Sequence, residues 1–287
     1  MHKWILAVVA IIVIVGALAC YWMHRTARRG SEARHPTRIV DAQKAAKRLL
    51  CLRLFVVRAG LEHVIAQSPK EHTESRDLAI KVFAKENQKI YAKFKSDGLW
   101  KSLSRQETAL LEKPMGGWTE QEITDGSWWA EALAVIEWAL GEIDQIPPYD
   151  KEVDREAFSS KLKKIESYTR YVADAKLRPD AEIAKARDVA EFWLWRARTG
   201  QIQKDPKKYP LPKDVTLEEI ISKAAAKGEE DGLFKAIEND FPAFGKPFAK
   251  LSDDELWTMQ SIAAERLYGL NWLCGYSEDW DEVPTDT

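Results

Sequence analysis

The chain has 287 residues, 45% of them hydrophobic and 31% charged, and its 43 Lys and Arg against 45 Asp and Glu leave a formal net charge of −2. That length and apolar content suffice for one substantial core. Three widely spaced cysteines without a CxxC pair, Cys20, Cys51 and Cys274, rule out a disulfide framework and a zinc site and fit a reducing compartment. The charge is unevenly placed: residues 1–60 hold 11 Lys and Arg against 2 acids, and the rest hold 32 against 43. An acidic body argues against nucleic acid as a partner, because phosphate affinity comes largely from Lys and Arg.

Trp4 to Met23 is an unbroken run of twenty residues without a charge, followed by Arg25, Arg28, Arg29 and Arg34. A helix of that length spans ~30 Å, the hydrocarbon thickness of a bilayer. The run therefore predicts one transmembrane helix, with Trp4, Tyr21 and Trp22 at the headgroup level. The arginine-rich flank resists translocation, which predicts an N-out anchor and a cytosolic body. A cleaved signal peptide or a lipidated Cys20 is the competing reading. Its apolar region is usually about 7–15 residues long, and here bulky Tyr21-Trp22-Met23 follow the small-residue stretch. Residues 1–36 are read as anchor and basic linker, and 37–287 as one helical domain. The basic flank is attracted to anionic membrane lipid, or serves topology alone.

Beyond the linker, helix signals recur and strand signals do not. Capping boxes of the S/T-x-x-E type stand at Ser68–Glu71, Ser104–Glu107, Thr119–Glu122, Thr216–Glu219 and Ser252–Glu255. Trp129, Leu133, Ile136, Leu140 and Ile143 step at helical spacing, as do Phe158, Leu162, Ile165 and Val172. Helices are expected near 39–66, 73–96, 104–112, 127–145, 154–173, 180–199, 216–228 and 253–274. Gln201–Val215, with three prolines, and Asn239–Leu251 are expected loops. The expected fold is all-α, a single compact domain of about eight helices preceded by the transmembrane helix.

All five histidines, His2, His24, His35, His63 and His72, lie within the first 72 residues. This removes Ser-His-Asp, Cys-His and HExxH sites from the body. No phosphate-binding loop and no GxGxxG is present, and no carboxylate pair stands out. No cofactor and no metal is implied.

Two helices carry charge where the pattern is apolar. Val189 to Trp195 is apolar nearly all round, yet Arg187, Glu191, Arg196 and Arg198 lie in or beside it. Arg187 and Glu191 are four apart and can pair on one face. Ile262 to Tyr276 carries only Glu265 and Arg266, and Arg266 falls on the apolar line of Met259, Ile262 and Leu273. Unpaired buried charge costs several kcal/mol, roughly. A shared ion-pair network between the two helices follows, serving either to orient them or to line a polar pocket.

Three stretches at these residues resemble the family known as domain of unknown function 4272. The first is Trp138-Ala139-Leu140-Gly141, with Ile143-Asp144 and Pro147. The second is Leu177-Arg178-Pro179, then Ala186 to Glu191 with Trp193, and Trp195 to Thr199. The third runs from Asp240-Phe241-Pro242-Ala243-Phe244-Gly245 through Glu265-Arg266 and Leu270 to Gly275, closing with Trp280-Asp281 and Pro284 to Thr287. The resemblance spans about residues 40–287. It implies a bacterial, cytosolic domain with no established activity. Leu194 and Leu267 stand where relatives often have His, consistent with a contacting pair turned apolar or a site lost here. Trp280 and Asp281 in a patterned tail predict that Trp280 packs on the domain and that Asp281 meets an arginine, with Arg196 and Arg198 as the candidates.

The candidate cluster, structural or ligand-binding, is Arg187, Glu191, Arg196, Arg198, Glu265, Arg266, Asn271, Trp280 and Asp281. The leading reading is a single-pass bacterial inner-membrane protein whose cytoplasmic domain binds a protein partner. An immunity-like neutraliser of a basic toxin and a membrane scaffold are two versions of it. The alternative is an enzyme or small-ligand sensor built on the Arg/Glu/Trp cluster.

Overall fold

A computed structural model describes residues 38–68, 73–205 and 216–285. The run Trp4–Met23 and the arginines after it, Arg25, Arg28 and Arg29 among them, lie outside the described residues. Within those residues no helix is long and apolar enough to cross a membrane.

Among the described residues nine α-helices form, and the fold there is all-α. In chain order they are α1 (Ala42–Gln67), α2 (Thr73–Ser96), α3 (Arg105–Leu111), α4 (Glu120–Ala139), α5 (Glu156–Lys164), α6 (Tyr168–Ala173), α7 (Asp180–Lys204), α8 (Leu217–Glu230) and α9 (Asp253–Leu273). Capping boxes close at Ser104–Glu107, Thr119–Glu122 and Ser252–Glu255. Thr216 precedes α8 without a side-chain cap bond. Ser68 caps the end of α1: its N–H donates to the Ile65 carbonyl at 3.2 Å and its Oγ to the Val64 carbonyl at 3.0 Å; its expected box partner Glu71 lies outside the described residues.

Four element boundaries differ from expectation. Helix α7 runs on to Lys204, so Gln201–Lys204 of the expected loop are helical and Ile202 is buried against the core. The fourth helix starts at its capping box, at Glu120, rather than at 127, and stops at Ala139. The helix expected over 154–173 breaks at Ile165–Ser167, where Lys93 Nζ reaches the carbonyls of Ile165 and Glu166 at 3.1 and 2.8 Å, and Ser167 caps α6. The expected loop 239–251 holds a two-stranded hairpin, Pro242 pairing Pro247 and Ala243 pairing Lys246. Its turn residues, Phe244 and Gly245, both have positive φ, 51° and 73°, as a two-residue hairpin turn of this hand requires.

The core is layered in the order α1, α4, α9, α7. Helix α4 is central, and its second half, Ala130 to Ala139, buries residues on every side, which is why that stretch is apolar apart from Glu131 and Glu137. Gly269 of α9 meets α4 where a side chain would not fit: a Cβ there would lie 2.7 Å from Val135 Cγ2 and 3.0 Å from the Ala132 carbonyl oxygen. The Val40 N–H donates to the Leu273 carbonyl at 2.9 Å, so the entry to α1 is tied to the end of α9. Buried side chains from Val40 to Val283 form one cluster. Three of the basic residues in the first 60, Arg48, Arg53 and Arg58, are buried on α1 and paired with Glu107, Glu137 and Glu62. They therefore add nothing to a basic surface beside the linker.

Candidate functional site

The expected network between α7 and α9 resolves into separate clamps. Arg187 Nη1 and Nη2 donate to the two oxygens of Glu191 at 2.6 and 2.9 Å. Its Nε donates to Asn271 Oδ1 at 2.8 Å, and Asn271 Nδ2 donates to the Pro284 carbonyl at 2.7 Å. This clamp joins α7, α9 and the C-terminal segment. Burial pulls the Arg187 guanidinium down, but Glu191 outweighs it and the pKa is raised.

Arg266 does not join that clamp. It turns to α4, where its Nε and Nη2 meet Glu131 Oε2 at 2.9 and 2.8 Å. Its Nη1 donates to the carbonyls of Pro147 and Pro148 at 2.5 and 3.2 Å, and Nη2 to that of Lys151 at 3.1 Å. The partner is on α4 because α4, not α7, covers that side of α9. Arg196, fully buried, holds both oxygens of Asp240 at 2.7 Å. Asp240 also accepts from the N–H groups of Phe241 and Ala249, at 2.7 and 2.8 Å. Arg198 Nη2 donates to the Thr285 carbonyl at 3.0 Å. Glu265 is half-buried, and burial followed by the charges of Asp125 and Glu131 pushes its pKa up to about 7.

Trp280 is buried against Trp129, Tyr268 and Trp272, and the Arg48 guanidinium lies 4.7 Å above its ring centroid. Asp281 meets neither Arg196 nor Arg198: its Oδ2 accepts from the Gln106 N–H at 3.0 Å, and Arg48 is the arginine that feels its charge. The reason is geometric. The short turn Trp280–Glu282 crosses the α1–α3 end of the domain, while Arg198 Nη2 meets the next segment, at Thr285.

One pocket, of about 680 Å³, lies between α1 and the C-terminal segment and counts Arg48, Trp272 and Trp280 among its lining; an aromatic-walled one is elsewhere. A groove of about 570 Å³ runs along α7 between the loop 144–150 and the segment 233–245. Glu182, Ala186, Val189 and Trp193 supply its α7 side at steps of four, three and four. Trp138, Tyr149 and Phe234 add aromatic walls, and Tyr149 stacks on Trp193 at 5.2 Å between centroids. Asp144, Asp150, Glu182 and Lys185 are the charged residues along it. Asp150 Oδ2 accepts from the Phe244 N–H at 2.9 Å and so links the two walls.

The buried arginines hold these walls in place. Arg266 grips the carbonyls of 147–151, and Arg196 fixes Asp240 at the root of the hairpin segment. Arg178 donates from Nε to the Trp138 carbonyl at 2.7 Å and from Nη2 to those of Ile143 and Asp144 at 3.1 and 3.3 Å. None of the nine candidate residues read from sequence lines the groove; Arg196 and Arg266 support it from behind. Tyr149, Glu182, Lys185 and Phe234 carried no signal of their own. The usable signal was the patterned stretches, since Trp138, Asp144 and Pro147 of the first, Ala186, Val189 and Trp193 of the second and Pro242, Ala243 and Gly245 of the third all meet here.

These features define an all-helical domain with arginine-braced walls around an open aromatic groove. Residues 30–220 match the family described as Domain of unknown function (DUF4272), and the chain belongs to that family. The match ends before the third stretch, so Asp240 to Thr287 lie beyond it. No curated protein and no solved structure matches the chain.

Proposed function

We propose that the domain is a binding module whose α7 groove takes a basic, apolar-bodied segment of a protein partner. The supporting observation is the groove's make-up: four aromatic rings flank it, with Asp144, Asp150 and Glu182 against Lys185 along it. Apolar walls with a few placed polar groups are the usual form of a ligand site, and complementary charge steers and selects the partner. The acidic body points the same way. The Arg/Glu cluster itself offers a ligand little, because Arg187, Arg196 and Arg266 are already ion-paired inside the fold.

The uncharged run Trp4–Met23 with its arginine flank supports a second element of the proposal, a membrane tether with the domain on the cytoplasmic side. External protease added to intact spheroplasts tests the orientation. The body should survive, and its digestion would reverse the sidedness.

The groove is tested by affinity capture with the tethered protein from its own cells. Wild type should retain a basic protein, and Asp144→Lys with Glu182→Lys should lose it. The reading is abandoned if that double variant captures the same partner undiminished while reversal of Glu229 and Glu230 on α8 abolishes capture.

A further inference from the structure

Helix α2 carries an exposed basic face on an acidic body. Thr73–Ser96 carries six basic side chains, Arg76, Lys81, Lys85, Lys89, Lys93 and Lys95, against three acids, Glu74, Asp77 and Glu86. It is also the most weakly embedded long helix. Among its described side chains only Asn87 and Phe94 are buried.

The outward face has an unusual make-up. Leu78 is 63% exposed and Val82 49% exposed, and with Val64 of α1 (51%) they are three of the five exposed large apolar residues among those described. At ~100° per residue, Leu78, Lys81, Val82, Lys85 and Lys89 fall within an arc of about 100°. Lys89 pairs with Glu86 at 2.7 Å, whereas Lys81 and Lys85 make no ion pair among the described residues. Apolar side chains set among lysines suit a lipid interface. The apolar groups enter the acyl boundary and the lysine stems snorkel to the headgroups. Anionic lipid attracts each such lysine, while the acidic remainder of the domain is repelled, so the charge asymmetry also orients the molecule.

From this we infer that α2 is a membrane-docking face and that its occupant is an anionic lipid bilayer. The helix lies along the surface with Leu78 and Val82 downward, and the α7 groove is left to a protein partner.

The test uses the full chain carrying Cys20→Ser and Val82→Cys, reconstituted into vesicles of phosphatidylcholine alone or with about a third phosphatidylglycerol. Cys51 and Cys274 are buried and stay silent toward a charged, water-soluble maleimide. The alkylation rate at position 82 should fall about tenfold with the anionic lipid, and Lys81→Glu with Lys85→Glu should restore it. Both lysines are exposed, so helical circular dichroism should not change in that variant. Equal, fast rates in both lipids overturn the inference. Equal, slow rates also overturn it, because a different part of the chain or a second copy then covers the face.

Discussion

The α4–α9 seam and the α7 groove are built from similar residue types and behave in opposite ways. In the seam, Arg266 and Glu131 are buried and saturated, one by the other and by main-chain groups of 147–153. In the groove, Trp193 and Tyr149 stack at the edge of an open trough, and the charges of Glu182 and Lys185 stay exposed, Glu182 in a loose 3.8 Å surface pair with Arg178. Charge that is sealed and paired fixes where chain segments sit. Charge left at the margin of apolar walls is available to something outside.

The largest effect should come from breaking the seam. Arg266→Ala strands Glu131 in the core, and loss of one partner of a buried pair costs about 3–5 kcal/mol. Urea denaturation should show that loss. Arg266→Met combined with Glu131→Leu should recover most of it, since an apolar pair of similar volume removes the stranded charge. If the single variant is as stable as wild type, the seam does not brace the groove.

A smaller loss should follow from Gly269→Ala. The added methyl meets Val135 and the Ala132 carbonyl, and overpacking of this kind costs about 1–3 kcal/mol. The same denaturation curves measure it.

Glu265 sharpens the comparison because it lies beside the seam without an ion-pair partner among the described residues. Its pKa is raised from 4.5 to about 7. Between those values the folded protein holds a proton that the unfolded chain has released, so stability falls as pH rises through about 7 and is fully present below about 4.5. Glu265→Gln should abolish that slope. Near pH 8 it should raise Tm by about 2–4 °C, the shift that 1 kcal/mol gives a domain of this size. Near pH 4 it should change nothing. Thermal melts across the range would decide it, and an unchanged slope in the variant assigns the pH dependence to another group.

The smallest effect on stability, and the largest on binding, should come from the groove margin. Asp144→Lys with Glu182→Lys alters exposed charges and should stay within about 0.5 kcal/mol of wild type while losing the captured partner. A large drop in Tm would mean that these residues hold the fold rather than meet a ligand.

Much of the helical layout was legible in the chain. Ser104, Thr119 and Ser252 announce their helices because a cap is a local bond within four residues. The apolar run around Trp193 announces burial, and Arg187 with Glu191 announces a pair, because i and i+4 meet on any helix. The break at Ile165–Ser167 was not legible, since it involves Lys93 from another helix. The partner of Arg266 was not legible either: Glu131 lies 135 positions away, and only the packing of α4 on α9 brings it near.

By itself, then, the sequence determined a helical, acidic body, a basic excess in the first 60 residues and charged groups that had to be buried in pairs. These follow from composition and from interactions no longer than a helical turn. Tertiary structure decided which carboxylate each arginine meets, which loops those arginines brace, and that Trp138, Tyr149, Trp193 and Phe234 share one groove. Those pairings depend on how helices cross, and a linear pattern of hydrophobic and charged residues does not encode the crossing directly.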